Sequence, residues 1–208
     1  MGAIKNNIIM YMKDDLLGYI IILFVLLIAY KMYKESDFFN LTCVVSTIDG
    51  EKYCVRERKN VKNASDLLAK TTIKMTKLVQ HLKHKYTDND VVDRLVSRFN
   101  PKKIVEILPN SEYTAYSENK GRKIALCLNV DKKQNDNLID ENTLMFVALH
   151  EMSHIGTKSV GHGDDFWNNF KFLIKEATEC NVYVLEDYAK SPKEYCSMSI
   201  KDNPYYDL

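Results

Sequence analysis

Residues 150–154 read HEMSH, a spacing that can direct two imidazoles at one metal ion. On an α-helix, positions i and i+4 lie about 40° apart around the axis, so His150 and His154 share one face. Two imidazoles one turn apart can bind the same Zn²⁺, and Glu151 beside them can reach the attacking water. The motif therefore predicts metal-assisted hydrolysis in which Glu151 handles the proton of that water.

A third ligand is expected from the glycine-rich loop that follows the motif. His162 stands in a Gly-His-Gly triplet, and three of the seven glycines in the chain fall within 156–163. Because glycine permits sharp backbone turns, this loop is expected to fold back and bring His162 to the metal. Three protein ligands leave one coordination position open, as in catalytic zinc sites. Glu176 and Glu179, on the next predicted helix, are the alternative third ligands.

Four residues that follow this loop are given structural roles. Asp164 and Asp165 are expected to cap the next helix, although one of them could instead orient a ligand imidazole. Phe166 and Trp167 are expected to pack in the core under the loop.

Hydrophobic periodicity predicts the elements that must position these residues. Asp140 is the expected N-cap of the helix that carries HEMSH, and apolar residues precede the motif in that helix. A β-hairpin is predicted around Asp49-Gly50, the preferred centre of a type I′ turn. The remaining predicted elements are helices over 64–85, 90–99 and 166–180 and strands over 103–108, 112–117 and 122–129. This mixture predicts an α+β fold.

An uncharged apolar run, LLGYIIILFVLLIAY, occupies residues 16–30. Extended through Tyr33 it spans roughly 27 Å as a helix, close to the ~30 Å hydrocarbon core of a bilayer. It has no polar stripe, unlike a core helix of a soluble domain, and no small-x-small cleavage site follows it, unlike a signal peptide. We therefore predict an N-terminal tail over 1–15 and one transmembrane helix over 16–33.

The rest of the chain is predicted to form one domain over 36–190 and an irregular tail over 191–208. Apolar residues make up 46% of the 208 residues and charged residues 27%, a globular balance. The formal net charge is +1, and residues 1–35 account for all of it. A neutral domain argues against a nucleic-acid partner. His81 and His84 lie among lysines on a predicted helix and are expected to form a solvated basic face.

Charge and cysteine content indicate on which side of the membrane the domain is expected to lie. Lysines flank the apolar run almost equally, and further basic residues favour a cytosolic domain. The cysteines show no CxxC spacing and are expected to be free thiols, which fits the cytosol. Two N-glycosylation sequons, at Asn40 and Asn63, argue for the opposite side. The basic residues are Lys52, Arg56, Arg58 and Lys59, and the cysteines are Cys43, Cys54, Cys127, Cys180 and Cys196.

HEMSH followed by GHGDDFW resembles the SprT/WLM group of zincin-like metallopeptidases. In that group a His after a variable loop is the third zinc ligand, and an aromatic residue follows it. The resemblance implies that His150, His154 and His162 bind Zn²⁺, that Glu151 is the catalytic carboxylate and that Phe166 is the aromatic residue. It also implies a minimal zincin fold, with helices packed on a small, mainly antiparallel sheet, and a protein or peptide substrate. Related domains occur in large DNA viruses, whereas the anchor and the N-terminal hairpin lie outside the pattern.

Two functional hypotheses follow. The first is a membrane-anchored zinc metallopeptidase that hydrolyses peptide bonds with a zinc-activated water, Glu151 acting first as general base and then as general acid. The alternative is a non-catalytic, membrane-tethered binding module of the same fold, whose zinc is structural. A purely structural site has no need of Glu151, so the residues favour the enzyme.

Overall fold

The computed structural model of the chain describes residues 2–36, 40–134 and 136–207. The chain divides into two compact units, residues 1–40 and residues 41–208. The first unit contains helix α1 (Gly2–Glu35). Its segment Leu16–Lys34 has a mean hydropathy of 2.2 and is long and apolar enough to cross a membrane.

The second unit begins with a β-hairpin of strands β1 (Thr42–Val45) and β2 (Lys52–Val55). The strands are antiparallel, and Cys43 lies opposite Cys54 and forms a disulfide with it. The predicted hairpin is confirmed, but the type I′ turn is wrong. The connection is longer than two residues, and Gly50 alone of the Asp-Gly pair has a positive φ, +75°.

Two helices follow the hairpin, as the periodicity predicts. Helix α2 (Val61–Lys85) buries one apolar face, and helix α3 (Asp90–Arg98) is short and strongly amphipathic. The side chain of Asn89 caps α3 by accepting hydrogen bonds from the backbone N–H groups of its first turn. The fully buried side chains of α2 include Leu68, Met75, Leu78 and Leu82.

A three-stranded sheet supports the helices, with strands β3 (Ile104–Glu106), β4 (Ala115–Glu118) and β5 (Lys123–Leu126). The order is β3-β5-β4, in which β3 is parallel and β4 antiparallel to the central strand. Since β5 pairs on both sides and lies in the core, Ile124 and Leu126 are fully buried. In the part of the chain that the structure describes, antiparallel pairings predominate, so the expected α+β fold is confirmed.

The motif helix passes through the middle of the domain. Helix α4 (Glu141–Gly156) begins at Asp140, whose carboxylate accepts a hydrogen bond of 2.9 Å from the backbone N–H of Thr143. Helix α5 (Asp164–Glu179) packs against it, and the ring centroids of Phe146 and Phe170 are 5.2 Å apart. The apolar residues before HEMSH therefore fix α4 in the core, and the motif emerges at its last turns.

The C-terminal segment is ordered, so the expected irregular tail is wrong. It forms a second hairpin, β6 (Lys193–Tyr195) and β7 (Met198–Ile200), and a 3₁₀ turn (Pro204–Tyr206). Tyr195 is buried, and its hydroxyl donates a 3.1 Å hydrogen bond to the carbonyl oxygen of Thr114. These short strands have no strong periodicity, so tertiary contacts rather than local pattern hold them.

Four of the five cysteines are paired, so the expectation of free thiols is wrong. The second disulfide joins Cys127 and Cys196, which are 69 residues apart in the sequence. A backbone hydrogen bond of 2.9 Å from Cys196 to Asn129 holds the C-terminal hairpin beside this part of the domain. Cys180 is free. Sequence spacing alone cannot reveal such a pairing, because it depends on which segments fold together.

Two of the basic residues that favoured a cytosolic domain are structural. Arg56 and Arg58 both contact the buried carboxylate of Glu106, and Arg56 also donates a 2.7 Å hydrogen bond to the carbonyl oxygen of Ile107. Burial raises the pKa of Glu106, and the two guanidinium groups oppose that rise. These arginines serve the core and carry no information about the orientation of the membrane helix.

Candidate metal centre

Helix α4 presents His150 and His154 one turn apart, as the HEMSH spacing predicts. Their ring centroids are 5.0 Å apart, and both side chains are partly buried. The helix ends two residues after His154, at Gly156. A Cβ on Gly156 would meet a side-chain methyl of Val91 at 2.8 Å, so glycine is needed where α3 crosses α4.

The loop between α4 and α5, residues 157–163, is here named the metal loop because it brings His162 back to the other two imidazoles. The Nε2 atoms of His162 and His150 are 3.1 Å apart. One ligand nitrogen from each of the three imidazoles lies within 4.8 Å of the others. Gly161 turns the chain with φ +91°, whereas Gly163 has an extended conformation that any residue can adopt. Of the two glycines that flank His162, Gly161 is therefore the one whose conformation requires glycine.

Phe166 forms a floor under the three imidazoles. It is fully buried, and its ring centroid lies 4.8, 4.4 and 4.6 Å from those of His150, His154 and His162 respectively. Trp167 lies 5.9 Å from His162 and is 43% exposed, so its expected place in the core is wrong. Phe166 thus restricts the orientation of every candidate ligand, while Trp167 borders the site from outside.

Glu151 is buried beside the imidazoles and lacks a full set of partners. It is 4% exposed, and its Oε2 has no hydrogen-bond partner among the described residues. Burial raises the pKa of this carboxyl to about 8. An unpaired buried carboxylate is costly, so a structure retains one where a ligand or a reaction uses it.

Both helix imidazoles are held neutral. Burial, followed by the charges of the other two histidines, lowers the pKa of His150 to about 3. Burial, followed by the charges of His162 and Lys120, lowers the pKa of His154 to about 4. Near pH 7 both rings therefore carry a free lone pair, the form in which imidazole binds a metal.

The metal loop is tethered by neighbouring elements. Lys120 Nζ donates hydrogen bonds to the carbonyl oxygens of Thr157 and Ser159, at 3.0 and 2.5 Å. Asn169 donates a 2.9 Å hydrogen bond to the hydroxyl of Thr157. The hydroxyl of Ser159 donates to Asp165 at 2.5 Å. These bonds restrict the path of the loop, so His162 is pre-positioned by contacts on both sides of it.

The alternative third ligands point elsewhere. Glu176 is buried and accepts hydrogen bonds from Lys85 and from the hydroxyl of Tyr86, and His81 Nε2 lies 3.0 Å from it. Glu179 forms an ion pair with Lys85. The described structure therefore brings His162, and neither glutamate, to the helix imidazoles. It also corrects the expectation for His81, which is a partner of a buried carboxylate rather than part of a solvated face.

The expected cap residues of α5 lie in its first turn. Gly163 is the N-cap, and Asp164 and Asp165 follow it. Asp165 accepts a 3.0 Å hydrogen bond from the backbone N–H of Phe166 and is the acceptor for Ser159, as above. Carboxylates at this position favour the helix dipole.

Two residues of the site region were not singled out from the sequence. Lys120 anchors the metal loop, and Tyr195 is fully buried, so that burial, with a smaller contribution from the charge of Glu151, raises the pKa of Tyr195. Lys120 follows β4 in an ordinary-looking polar turn, and Tyr195 stands in the segment expected to be irregular. Neither position carries a local signal, because their roles arise from contacts between distant segments.

The donor set and its spacing fit zinc. A tetrahedral zinc with nitrogen ligands at about 2.0–2.1 Å has its ligand nitrogens roughly 3.3 Å apart. The 3.1 Å between the Nε2 atoms of His150 and His162 is close to this value. Three neutral nitrogen donors with an adjacent carboxylate are typical of catalytic rather than closed structural zinc sites.

Comparison with known proteins assigns the family. The model of the WLM domain matches residues 56–203, which include the motif helix, the metal loop and the C-terminal hairpin. The chain therefore belongs to the WLM domain family, a family of zinc-dependent metallopeptidases, and the resemblance seen in HEMSH and GHGDDFW is confirmed.

Its relatives include viral proteins. An uncharacterised protein of Acanthamoeba polyphaga mimivirus is 29% identical over 187 residues, which cover 88% of this chain and 91% of the relative. An uncharacterised protein of Invertebrate iridescent virus 6 is 37% identical over 76 residues, covering 36% of this chain and 41% of the relative. The crystal structure of Wss1 from Saccharomyces cerevisiae is similar with a TM-score of 0.46 and 20% identity, covering 61% of this chain and 87% of that one.

Proposed function

We propose that this protein is a zinc metallopeptidase that hydrolyses peptide bonds in a protein or peptide substrate. The observation that carries the proposal is the convergence of three imidazole nitrogens within 4.8 Å beside the buried carboxylate of Glu151, whose Oε2 has no hydrogen-bond partner in the described part of the chain. Membership of a metallopeptidase family supports the same reaction.

The chain supplies a proton carrier and a metal site. His150, His154 and His162 would hold Zn²⁺, which when bound polarises the scissile carbonyl and lowers the pKa of water. Glu151 accepts a proton from the water that attacks the carbonyl carbon. As the C–N bond breaks, Glu151 donates that proton to the leaving amine. Glu151 is 4% exposed and lies beside the three imidazoles, which places its carboxyl where it can accept a proton and then release it.

A non-catalytic module with a structural zinc is the weaker proposal. Such a site would be complete with its ligands and would gain nothing from burying Glu151 at 4% exposure with one oxygen that no described residue pairs. The open side of the site, where His162 is exposed, also fits access for a substrate.

The test compares the wild-type chain with Glu151→Gln, each purified in detergent and loaded with zinc. We expect Glu151→Gln to keep its zinc and to lose at least about 100-fold in kcat, because the proton carrier is removed while the ligands remain. Peptide-library digestion measures cleavage and elemental analysis measures zinc.

Glu179→Gln is the matched control. It makes the same chemical change on an exposed carboxylate of α5 that is paired with Lys85. Cleavage by Glu151→Gln at the wild-type rate would contradict the proposed mechanism, and zinc-loaded wild-type protein that cleaves no peptide would favour the binding module.

We propose that residues 16–33 anchor the protein in a membrane as a single span. Residues 16–30 carry no charged side chain, and the length and hydropathy of the segment suit a bilayer. The balanced charge of the remaining chain argues against a nucleic-acid partner, so the membrane and the polypeptide substrate are the partners proposed.

The two disulfides support a compartment other than the cytosol. Disulfides form and persist in oxidising environments and are rare in cytosolic proteins. Cys43–Cys54 and Cys127–Cys196 both lie in the second unit. We therefore propose that the catalytic domain matures in an oxidising compartment, in place of the cytosolic location that the cysteine spacing favoured.

A further inference from the structure

A basic cavity lies beside the metal loop. It is open to solvent, measures about 580 Å³ and is lined by Arg98, Asn119, Lys120 and Arg122. Arg98 is the last residue of α3, and the other three belong to the turn that joins β4 to β5. The lining contains cations and an amide and no carboxylate, although the domain as a whole is neutral.

The cavity is attached directly to the candidate active site. Lys120 Nζ binds two carbonyl oxygens of the metal loop, on the stretch that joins His154 to His162. Gly121, next in the chain, packs on Ile155, the neighbour of His154 on α4. Lys120 therefore connects the wall of this cavity to the loop that carries His162.

Two of the cations lack partners. Arg98 and Arg122 are exposed, and within the described residues neither guanidinium has a hydrogen bond or ion pair. By contrast, Arg94 on the same helix donates a 2.6 Å hydrogen bond to the carbonyl oxygen of Gly156 and pairs with Asp90. Uncompensated guanidinium groups facing one cavity attract a carboxylate, which they can bind in bidentate fashion.

The turn that forms the cavity wall is held in an unusual conformation. Asn119, Lys120 and Gly121 have positive φ values of 47°, 55° and 107°. Left-handed backbone is unfavourable for lysine, and it persists where the surrounding structure holds it in place. A Cβ on Gly121 would meet the carbonyl oxygen of Arg98 at 2.9 Å, so the turn is pressed against the end of α3. The two walls of the cavity are thus fixed relative to each other.

We propose that this cavity is a specificity pocket that receives an acidic side chain of the substrate near the scissile bond. The inference rests on the proposed peptidase function. A carboxylate is favoured over a nucleic acid because these few cations converge on one cavity, whereas duplex binding commonly uses about 6–10 phosphate contacts along a surface. The pocket makes acidic peptides the preferred substrate class.

The test uses full-length protein in detergent micelles and peptide pairs that differ only by Glu or Gln, scanned through the positions on both sides of the cleaved bond. At one position we expect wild type to favour Glu in kcat/KM. Arg98→Gln with Arg122→Gln lowers that Glu-to-Gln ratio about threefold to tenfold, as for solvated ion pairs. Arg98→Glu with Arg122→Glu reverses the preference toward Lys. Lys83→Gln, which removes a cation from α2 outside the pocket, leaves the ratio unchanged.

Binding separates the specificity pocket from the catalytic proposal. In a binding assay with fluorescently labelled peptides, zinc-loaded Glu151→Gln should bind the Glu peptide more tightly than the Gln peptide. Adding Arg98→Gln and Arg122→Gln should abolish this difference in affinity. Equal affinities and equal kcat/KM for the two peptides would contradict the proposed specificity pocket but not the proposed peptidase activity. Loss of all cleavage in wild type with the binding preference retained would overturn the peptidase alone. A single-stranded oligonucleotide that binds through the same arginines, with no Glu preference, would also overturn the pocket.

Discussion

Phe166 shows how one apolar side chain can set the geometry of a polar site. It touches all three candidate ligand imidazoles, with ring centroids 4.4–4.8 Å away. The aromatic floor restrains these imidazoles by packing, a role that hydrogen bonds to the ligand imidazoles play in other zinc sites. Its position four residues after His162 links the third candidate ligand to the start of α5.

Truncation of Phe166 tests this role. Phe166→Ala should cost about 3–5 kcal/mol in the free energy of unfolding, because a fully buried ring leaves a cavity. It should also weaken zinc binding about tenfold or more, since the imidazoles lose their support. Thermal unfolding and competition with a chelator measure the two effects. Trp167→Ala, at a neighbouring side chain that is 43% exposed, is the control. Equal effects of the two substitutions would contradict the proposed support of the imidazoles by Phe166.

His162 carries the second prediction at this scale. His162→Ala should lower zinc affinity at least about tenfold while leaving the fold intact, because the side chain is exposed and its loss removes a ligand rather than core packing. Elemental analysis after dialysis against a weak chelator measures the bound zinc. His84→Ala, on the exposed face of α2, should retain wild-type stoichiometry, and full zinc retention by His162→Ala would assign the third ligand elsewhere.

Among the elements, α2 and α5 are joined by one buried carboxylate. Glu176 on α5 receives hydrogen bonds from Lys85 Nζ at 3.0 Å and from Tyr86 at 2.7 Å, with His81 also in contact. Burial by itself would raise the pKa of Glu176, but these hydrogen bonds hold it below its usual value. Because α5 begins at the metal loop, this cluster steadies the element that carries Phe166.

The depressed pKa gives a pH dependence with a definite sign. A carboxyl whose pKa is lower in the folded state stabilises the fold above its unfolded pKa and loses that contribution as the pH falls through the folded value. Glu176 should therefore contribute fully above about pH 4.5 and progressively less in more acidic solution.

Glu176→Gln tests the cluster. The variant should lose about 1–3 kcal/mol of unfolding free energy at pH 7, and its stability should fall less steeply than that of wild type below pH about 4.5. Denaturant unfolding from pH 3 to pH 7 measures both. Glu179→Gln, at the exposed neighbour, should change stability less; identical pH profiles for wild type and Glu176→Gln would show that this carboxylate does not stabilise the fold.

At the scale of the whole molecule, the disulfides and the apolar helix both bear on which compartment contains the second unit. Both disulfides lie in the second unit, and the sequon residues Asn40 and Asn63 are exposed. An oxidising compartment reached across a membrane would account for the paired cysteines and would also expose the sequons to glycosylation.

The proposed location of the second unit in an oxidising compartment is therefore testable in a eukaryotic host. The full chain should carry N-linked glycan, and Asn63→Gln should remove part of it, since Asn63 lies at the exposed start of α2. Gel mobility before and after glycosidase treatment measures the glycan. Asn168→Gln, an exposed asparagine outside any sequon, is the control. Alkylation without reductant should label one thiol, Cys180; five labelled thiols and no glycan would place the domain in the cytosol.

Most of the helices and the two-histidine motif could be predicted because their signals are local. The HEMSH spacing needs only the helical period, and Asp140 and Asn89 act on backbone groups within three residues. The positions of β1 to β5 were also predicted, whereas β6 and β7 were not. The parallel pairing of β3 with β5 could not be predicted, because register depends on partners elsewhere in the chain.

By itself, the sequence determined the candidate metal ligands on one helix, the family and the apolar segment suited to a membrane. Tertiary structure decided that His162 rather than Glu176 meets the other imidazoles, that Cys127 pairs with Cys196, and that Lys120 tethers the metal loop beside a basic cavity. The physical reason is the range of the interactions. Helical period and capping act within a few residues of one another, whereas ligand convergence, disulfide pairing and buried ion pairs depend on segments that only folding brings into contact.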